Sequence, residues 1–242
     1  MIAALISITL RALLNRRRTP LLALLGVLLV LVTVVYRLGD PPSAESLDVT
    51  KRLLADFGIG VLLPLVAVIV GTASLGSELD DGTIVYLLAK PVARWQIVLV
   101  KLIAAWLVTS LLVVPAVIVA GLIGHGDASL AIGFGVAAFV GGLEYSAIFI
   151  ALSLVTSRAL IIGLAYVVIW EGVVAALFAG TRVVSVRQHA LAVAEALGGS
   201  GAAGIAELEP GVAVAVGAIA TILAVVLAIR RLETVELRGE TG

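Results

Sequence analysis

Six long apolar runs dominate the chain, and they decide its solvent before anything else about it is known. They cover residues 20–36, 53–75, 95–120, 130–155, 159–180 and 211–229. A helix rising 1.5 Å per residue needs roughly 17–25 apolar residues to cross a bilayer core. Every run reaches that range. No soluble fold of 242 residues could bury them, because 62% of the chain is hydrophobic and only 13% charged. Soluble domains run near about half and about a quarter, and the mean hydropathy here is +1.22. In lipid the backbone must satisfy its own hydrogen bonds, which restricts such runs to helices. The expected fold is all-α and polytopic, a single transmembrane domain over residues 1–242 with six spans. Pro64 and Pro115 fall inside the second and third runs and predict kinks rather than breaks, since neighbouring helices can satisfy the carbonyls they free.

An even number of spans puts both ends on one side. With the ends inside, the inner segments carry Arg11, Arg16, Arg17, Arg18, Lys90, Arg94, Lys101, Arg158, Arg230, Arg231 and Arg238, and the outer ones Arg37, Lys51, Arg52, Arg182 and Arg187. That imbalance predicts cytoplasmic termini. Lys51, Arg52 and Arg37 all fall in the first outer loop, the part that fits least well. The N-terminus does not read as a signal peptide, because apolar residues 1–10 precede the basic Arg16–Arg18 instead of following them. Residues 2–19 suit an amphipathic helix on the membrane surface, with Ser7, Arg11, Asn15 and Arg18 on one stripe. Outer loop 181–210 carries Val183, Val186, Ala190 and Val193 on one helical face, followed by a Gly198–Gly201 linker. This predicts a short amphipathic helix lying on the outer surface. Heavy Ala, Val, Leu and Gly usage with three lysines points to a bacterial source and a cell-membrane location.

Several chemistries are not indicated. Sixteen basic residues balance sixteen acidic ones, so no bulk field recruits nucleic acid. Cysteine is absent, which excludes disulfides, thiolate metal sites and cysteine nucleophiles. No Gly-Lys pair occurs, so a phosphate-binding P-loop is missing. His125 and His189 belong to separate loops without metal-ligand spacing, and no serine sits in a G-x-S-x-G turn. The expectation is a non-enzymatic protein with no cofactor, no metal and no catalytic residue.

Two carboxylates need an explanation. Glu144 and Glu171 lie near the middle of the fourth and fifth runs, where an ionised group costs on the order of 2.5–3.5 kcal/mol. They are either a substrate or proton pathway, or a tie between helices next to Gly141, Gly142 and Gly172. Asp56 follows Arg52 by four residues, the spacing of a surface ion pair on one helix.

Segment 76–94, between the second and third spans, is the most distinctive stretch. Ser77, Glu78, Asp80 and Asp81 suit a helix start. Gly82-Thr83 permits a break, and Leu87 and Leu88 with Ile84 form a short apolar face. Pro91 stops the helix, and Arg94 with Trp95 anchors the next span at the headgroups. This order of residues resembles the type-2 permeases of ATP-binding-cassette (ABC) exporters, through Glu78, Gly82-Thr83, Leu87-Leu88, Pro91-Val92 and Arg94. The six-span layout, the surface helix and the long loop before the sixth span are similar too.

The resemblance implies a membrane subunit forming half of a translocation pathway. Its partners would be a second permease half, identical or related, a separate ABC ATPase subunit, and the lipid bilayer. Residues 76–94 would be the coupling helix seated in that ATPase, with Glu78, Asp80, Asp81, Gly82, Thr83, Leu87, Leu88, Pro91 and Arg94 as its docking residues. The rival expectations are a proton-coupled secondary transporter using Glu144 and Glu171, and a membrane protein that transports nothing.

Overall fold

A computed structural model describes residues 9–10, 13, 18–80 and 93–239. Among these the fold is all-α, with no strand. Most of the expected surface helix, and residues 81–92 of segment 76–94, lie outside the described residues. Six helices are long and apolar enough to cross a membrane: span one Thr19–Arg37, span two Ser43–Gly76, span three Arg94–Gly124, span four Ala128–Val155, span five Ala159–Leu177 and span six Pro210–Thr234. Span two starts well before its apolar run, because polar Ser43–Arg52 is already helical. Residues 38–42 are all that separates spans one and two.

Span four is the hub. It packs against spans two, three, five and six and against a further helix, Val186–Leu197, in the loop before span six. Spans two, three and four are 61%, 44% and 67% buried, whereas spans one, five and six reach only 22%, 17% and 22%. The inner layer is therefore spans two to four, with the others leaning on it and showing apolar faces to lipid. Small residues set the distances, as expected where lipid competes with helix packing. A Cβ on Gly121 would lie 2.9 Å from Ala131, and one on Gly135 would lie 2.6 Å from Ile118, so spans three and four cannot accept larger residues there. Gly71 gives span two the same access to Phe149 of span four, at 3.0 Å.

Both prolines lie within continuous helix. Pro115 sits inside Arg94–Gly124. Pro64 follows directly on a π-helical stretch, Leu53–Leu62, whose last i→i+5 bond runs from the Leu63 N–H to the Gly58 carbonyl. The wider winding moves aside the carbonyl that a proline ring would strike in an α-helix. Span five carries a second π-helical stretch, Tyr166–Val174, with no proline near it. It carries Tyr166 and Glu171, whose contacts are described below.

Span four is capped at its start. Asp127 Oδ1 accepts from the Ser129 N–H at 2.8 Å, the Leu130 N–H at 3.4 Å and the Ser129 hydroxyl at 2.7 Å. The hydroxyl bond, above all, holds the Asp127 carboxyl below its usual range. A depressed pKa means the cap stabilises the fold above the ordinary carboxylate range and is lost as pH falls through the lowered value. Asp127→Ala is expected to cost about 1 kcal/mol. Asp127→Asn should keep most of the cap and remove this pH dependence, read as unfolding midpoints in detergent between acid and neutral pH.

Candidate functional site

The loop helix Val186–Leu197 is amphipathic, as its pattern predicts, and Val186, Ala190 and Val193 are buried together. It does not lie on the surface. Ala190 sits where a Cβ on Gly141 of span four would come within 3.1 Å, and a Cβ on Gly133 would lie 2.6 Å from Gly198. The helix also packs on span six. Gly141 is thus a close-approach position, while Gly172 meets nothing beyond its own helix. The chain reaches the loop helix by turning back on the end of span five. There Thr181 donates to the Val174 carbonyl at 3.2 Å, and Arg182 to those of Ala175 and Ala176 at 3.1 Å each. These bonds satisfy carbonyls that a helix end otherwise leaves open.

Two buried carboxylates hold the first turn of this helix. His189 Nδ1 faces Glu144 Oε1 at 3.0 Å and Oε2 at 3.2 Å, and His189 Nε2 faces the Val183 carbonyl at 2.8 Å. The side chains are 5% and 4% exposed. A carbonyl only accepts, so Nε2 carries a hydrogen. Nδ1 then either donates to a carboxylate or accepts from a protonated one. Either way the two residues share one proton, and the pair is neutral overall. Gly217 of span six lies directly on it, since a Cβ there would stand 2.9 Å from Glu144 Oε2. Glu144 is 16 residues into span four, about 24 Å along the axis, a depth at which an unpaired charge is costly.

Glu171 makes the second tie. Its Oε2 accepts from the Ser185 hydroxyl at 2.5 Å, and its Oε1 from the Val186 N–H at 2.9 Å and the Tyr166 hydroxyl at 3.1 Å. Ser185 is also the N-cap of the loop helix, accepting from the Gln188 N–H at 3.2 Å. An anion at a helix N-terminus meets open N–H groups and the positive end of the helix dipole. Tyr166 and Glu171 are five residues apart, the spacing that stacks in a helix closed by i→i+5 bonds. The π winding of span five therefore turns both groups toward the loop helix.

Above Glu171 lies a cavity of about 410 Å³. Glu171 and Ser185 form its floor. Lys51, Arg52 and Asp56 of span two and Arg182, Arg187 and Glu207 of the loop line its walls. Asp56 pairs with Arg187 at 2.5 Å, across 131 positions of sequence, instead of with Arg52. The π winding begins at Leu53, so the α-helical four-residue register between Arg52 and Asp56 does not hold. Arg182 pairs with Glu207. Four of the five cations expected outside thus meet in one place, Lys51 and Arg52 among them, while Arg37 stays apart.

The coupling positions are covered only at their margins. Helix Leu63–Asp80 carries the backbone of Glu78 and Asp80, and Arg94 opens span three behind an extended Ala93. Asp81, Gly82, Thr83, Leu87, Leu88 and Pro91 lie outside the described residues. Residues 14–186 match the family described as ABC-2 family transporter protein. The chain belongs to that family. It is the membrane subunit of an ABC transporter, a multi-pass membrane protein whose family works with an ABC ATPase subunit. No curated protein matches the sequence. Within this ABC-2 chain, sequence reasoning found Glu144 and Glu171 but missed His189, Ser185 and Gly217. A histidine on the apolar face of the loop helix was the available signal.

Removing His189 strands a buried carboxylate, which typically costs about 3–5 kcal/mol, whereas removing both partners is far less harmful. His189→Leu should therefore lower the unfolding midpoint more than the double variant Glu144→Leu/His189→Leu does. Gly217→Val should cost about 1–3 kcal/mol by overpacking the same junction, read in the same assay.

Proposed function

We propose that this chain is one membrane half of an ABC exporter, pairing with a second, identical or related half and with a separate ATPase subunit. The observation that carries this reading is the family match over residues 14–186, which takes in all of segment 76–94. The charge distribution supports cytoplasmic termini, which put that segment on the ATPase side of a bacterial cell membrane. The missing Gly-Lys pair supports the division of labour, with ATP hydrolysed by the partner and not by this chain. Cargo leaves from the cytoplasm or the inner leaflet.

The packing suggests how a push would travel. Segment 76–94 joins spans two and three, and both pack on span four. Span four holds the loop helix through Glu144 and His189. Closure of two ATPase subunits would drive the two coupling segments together and tilt this layer as a rigid body. The loop helix would move with it.

A proton-driven transporter built on Glu144 and Glu171 predicts loss of transport when either residue becomes glutamine. In the ABC reading both are ties, and a glutamine keeps hydrogen-bonding capacity while a leucine does not. Glu144→Gln and Glu171→Gln are expected to retain most ATP-dependent efflux in reconstituted vesicles. Glu171→Leu should lose it together with thermal stability.

Leu87 and Leu88 offer an apolar anchor of the kind that concentrates binding energy in a partner's pocket. Leu87→Asp should leave the chain inserted but abolish co-purification of its ATPase. Leu38→Asp, on an exposed residue beyond span one (81% accessible), should leave that association intact. Undiminished recovery with Leu87→Asp would remove the segment as the docking site, and specific ATP turnover by the pure chain would overturn the division of labour.

A further inference from the structure

We infer that the charged cavity between span two, span five and the loop helix is a binding site for an anionic phosphate group. The volume of about 410 Å³ falls in the range of small-molecule sites and far exceeds what one water fills. Every carboxylate in the cavity is already answered: Asp56 by Arg187, Glu207 by Arg182, and Glu171 by Ser185, Val186 and Tyr166. The donors are not. Arg52 has no hydrogen-bond or ion-pair partner among the described residues, and Lys51 reaches only the Ala203 carbonyl at 3.1 Å. Arg187 Nε has no acceptor either, but it is sealed against Gly60 of span two and is not open to the cavity, so the donors left over are those of Lys51 and Arg52. Four cations face three carboxylates, so what the cavity lacks is an acceptor carrying negative charge. Guanidinium groups are suited to such oxyanions because their planar donors match the two oxygens.

The backbone marks the same place independently. Both π-helical stretches border the cavity, the first bringing Asp56 and the second Glu171. Such winding is rare and concentrates at functional sites. Gly60, in the first stretch, leaves room for Arg187, whose Nε would lie 3.2 Å from a Cβ at that position. The Asp56 and Glu207 side chains are 69% and 52% exposed, so the rim is open to water while the floor is buried. An entering anion would therefore lose part of its hydration gradually, against fixed cations. The side of the membrane on which the cavity opens follows from the proposed topology. The binding does not, and its test needs neither ATPase nor transport, so the two readings fail separately.

The anion has two possible sources, an acidic lipid headgroup or a water-soluble ion, and two probes separate them. The full chain, purified in an uncharged detergent, is titrated with short-chain phosphatidylglycerol or with inorganic phosphate. Phosphatidylcholine of equal chain length and chloride at equal ionic strength serve as controls. The unfolding midpoint should rise saturably with phosphatidylglycerol, phosphate or both, and not with the controls. A response to the lipid alone assigns a headgroup, and a response to phosphate assigns a soluble anion. In the double variant Lys51→Gln/Arg52→Gln the apparent affinity should fall by about tenfold or more, the equivalent of one charged hydrogen bond. Arg37→Gln, which removes the outer cation that does not line the cavity, should leave the affinity unchanged. No shift with either probe, or a shift that survives intact in the double variant, would overturn the proposal.

Discussion

A buried carboxylate in a membrane must find partners inside the protein, and here two of them find the same partner. Glu144 and Glu171 come from different spans, yet both end on the first turn of helix Val186–Leu197. Each glutamate is only 3% exposed, so the loop that brings His189, Ser185 and the Val186 N–H supplies the partners that water does not. The dependence is mutual. The loop helix has open N–H groups at its own start; Glu171 satisfies that of Val186, and the Ser185 hydroxyl, itself held by Glu171, satisfies that of Gln188. Span six is drawn into the same knot through Gly217, which lies close enough to Glu144 that no side chain fits between them.

The rest of the architecture follows from how closely span four can be approached. Gly133 and Gly141 admit the loop helix, Gly135 admits span three, and the Ala131 surface receives Gly121. Close approach gains dispersion contacts where no hydrophobic driving force separates helix from lipid. Spans one, five and six, with far less of their surface buried, present the apolar faces that lipid or a second subunit can cover. The inner layer of spans two to four is the stiff part, and it continues directly into segment 76–94.

The charged cavity joins these two themes. Its floor is one of the glutamate ties, and two helical stretches wound wider than an α-helix bring Asp56 to its wall and Glu171 to its floor. The unusual winding gives the site its geometry: it takes Asp56 out of register with Arg52 and lets it meet Arg187. Four of the five cations expected outside, all but Arg37, are therefore not scattered along the chain's surface. They are gathered on one concave surface.

Reading the chain as a sequence was enough for the solvent, the helical class and the number of spans, because long apolar runs leave a backbone in lipid no other way to satisfy itself. The family resemblance was legible for a related reason: the order of residues in segment 76–94 is local, and local order survives in a linear reading. Glu144 and Glu171 were also visible, since a carboxylate inside an apolar run stands out. Their meaning was not. His189 lies 45 positions from Glu144, and Ser185 lies 14 from Glu171. Nothing in the spacing says that a loop expected on the surface folds back to reach both. Arg187 and Asp56 are farther apart still. Periodicity reports which face of a helix is apolar, but not what covers it. That was decided by the tertiary structure, where glycines on span four let the loop helix in and two buried carboxyl groups hold it there.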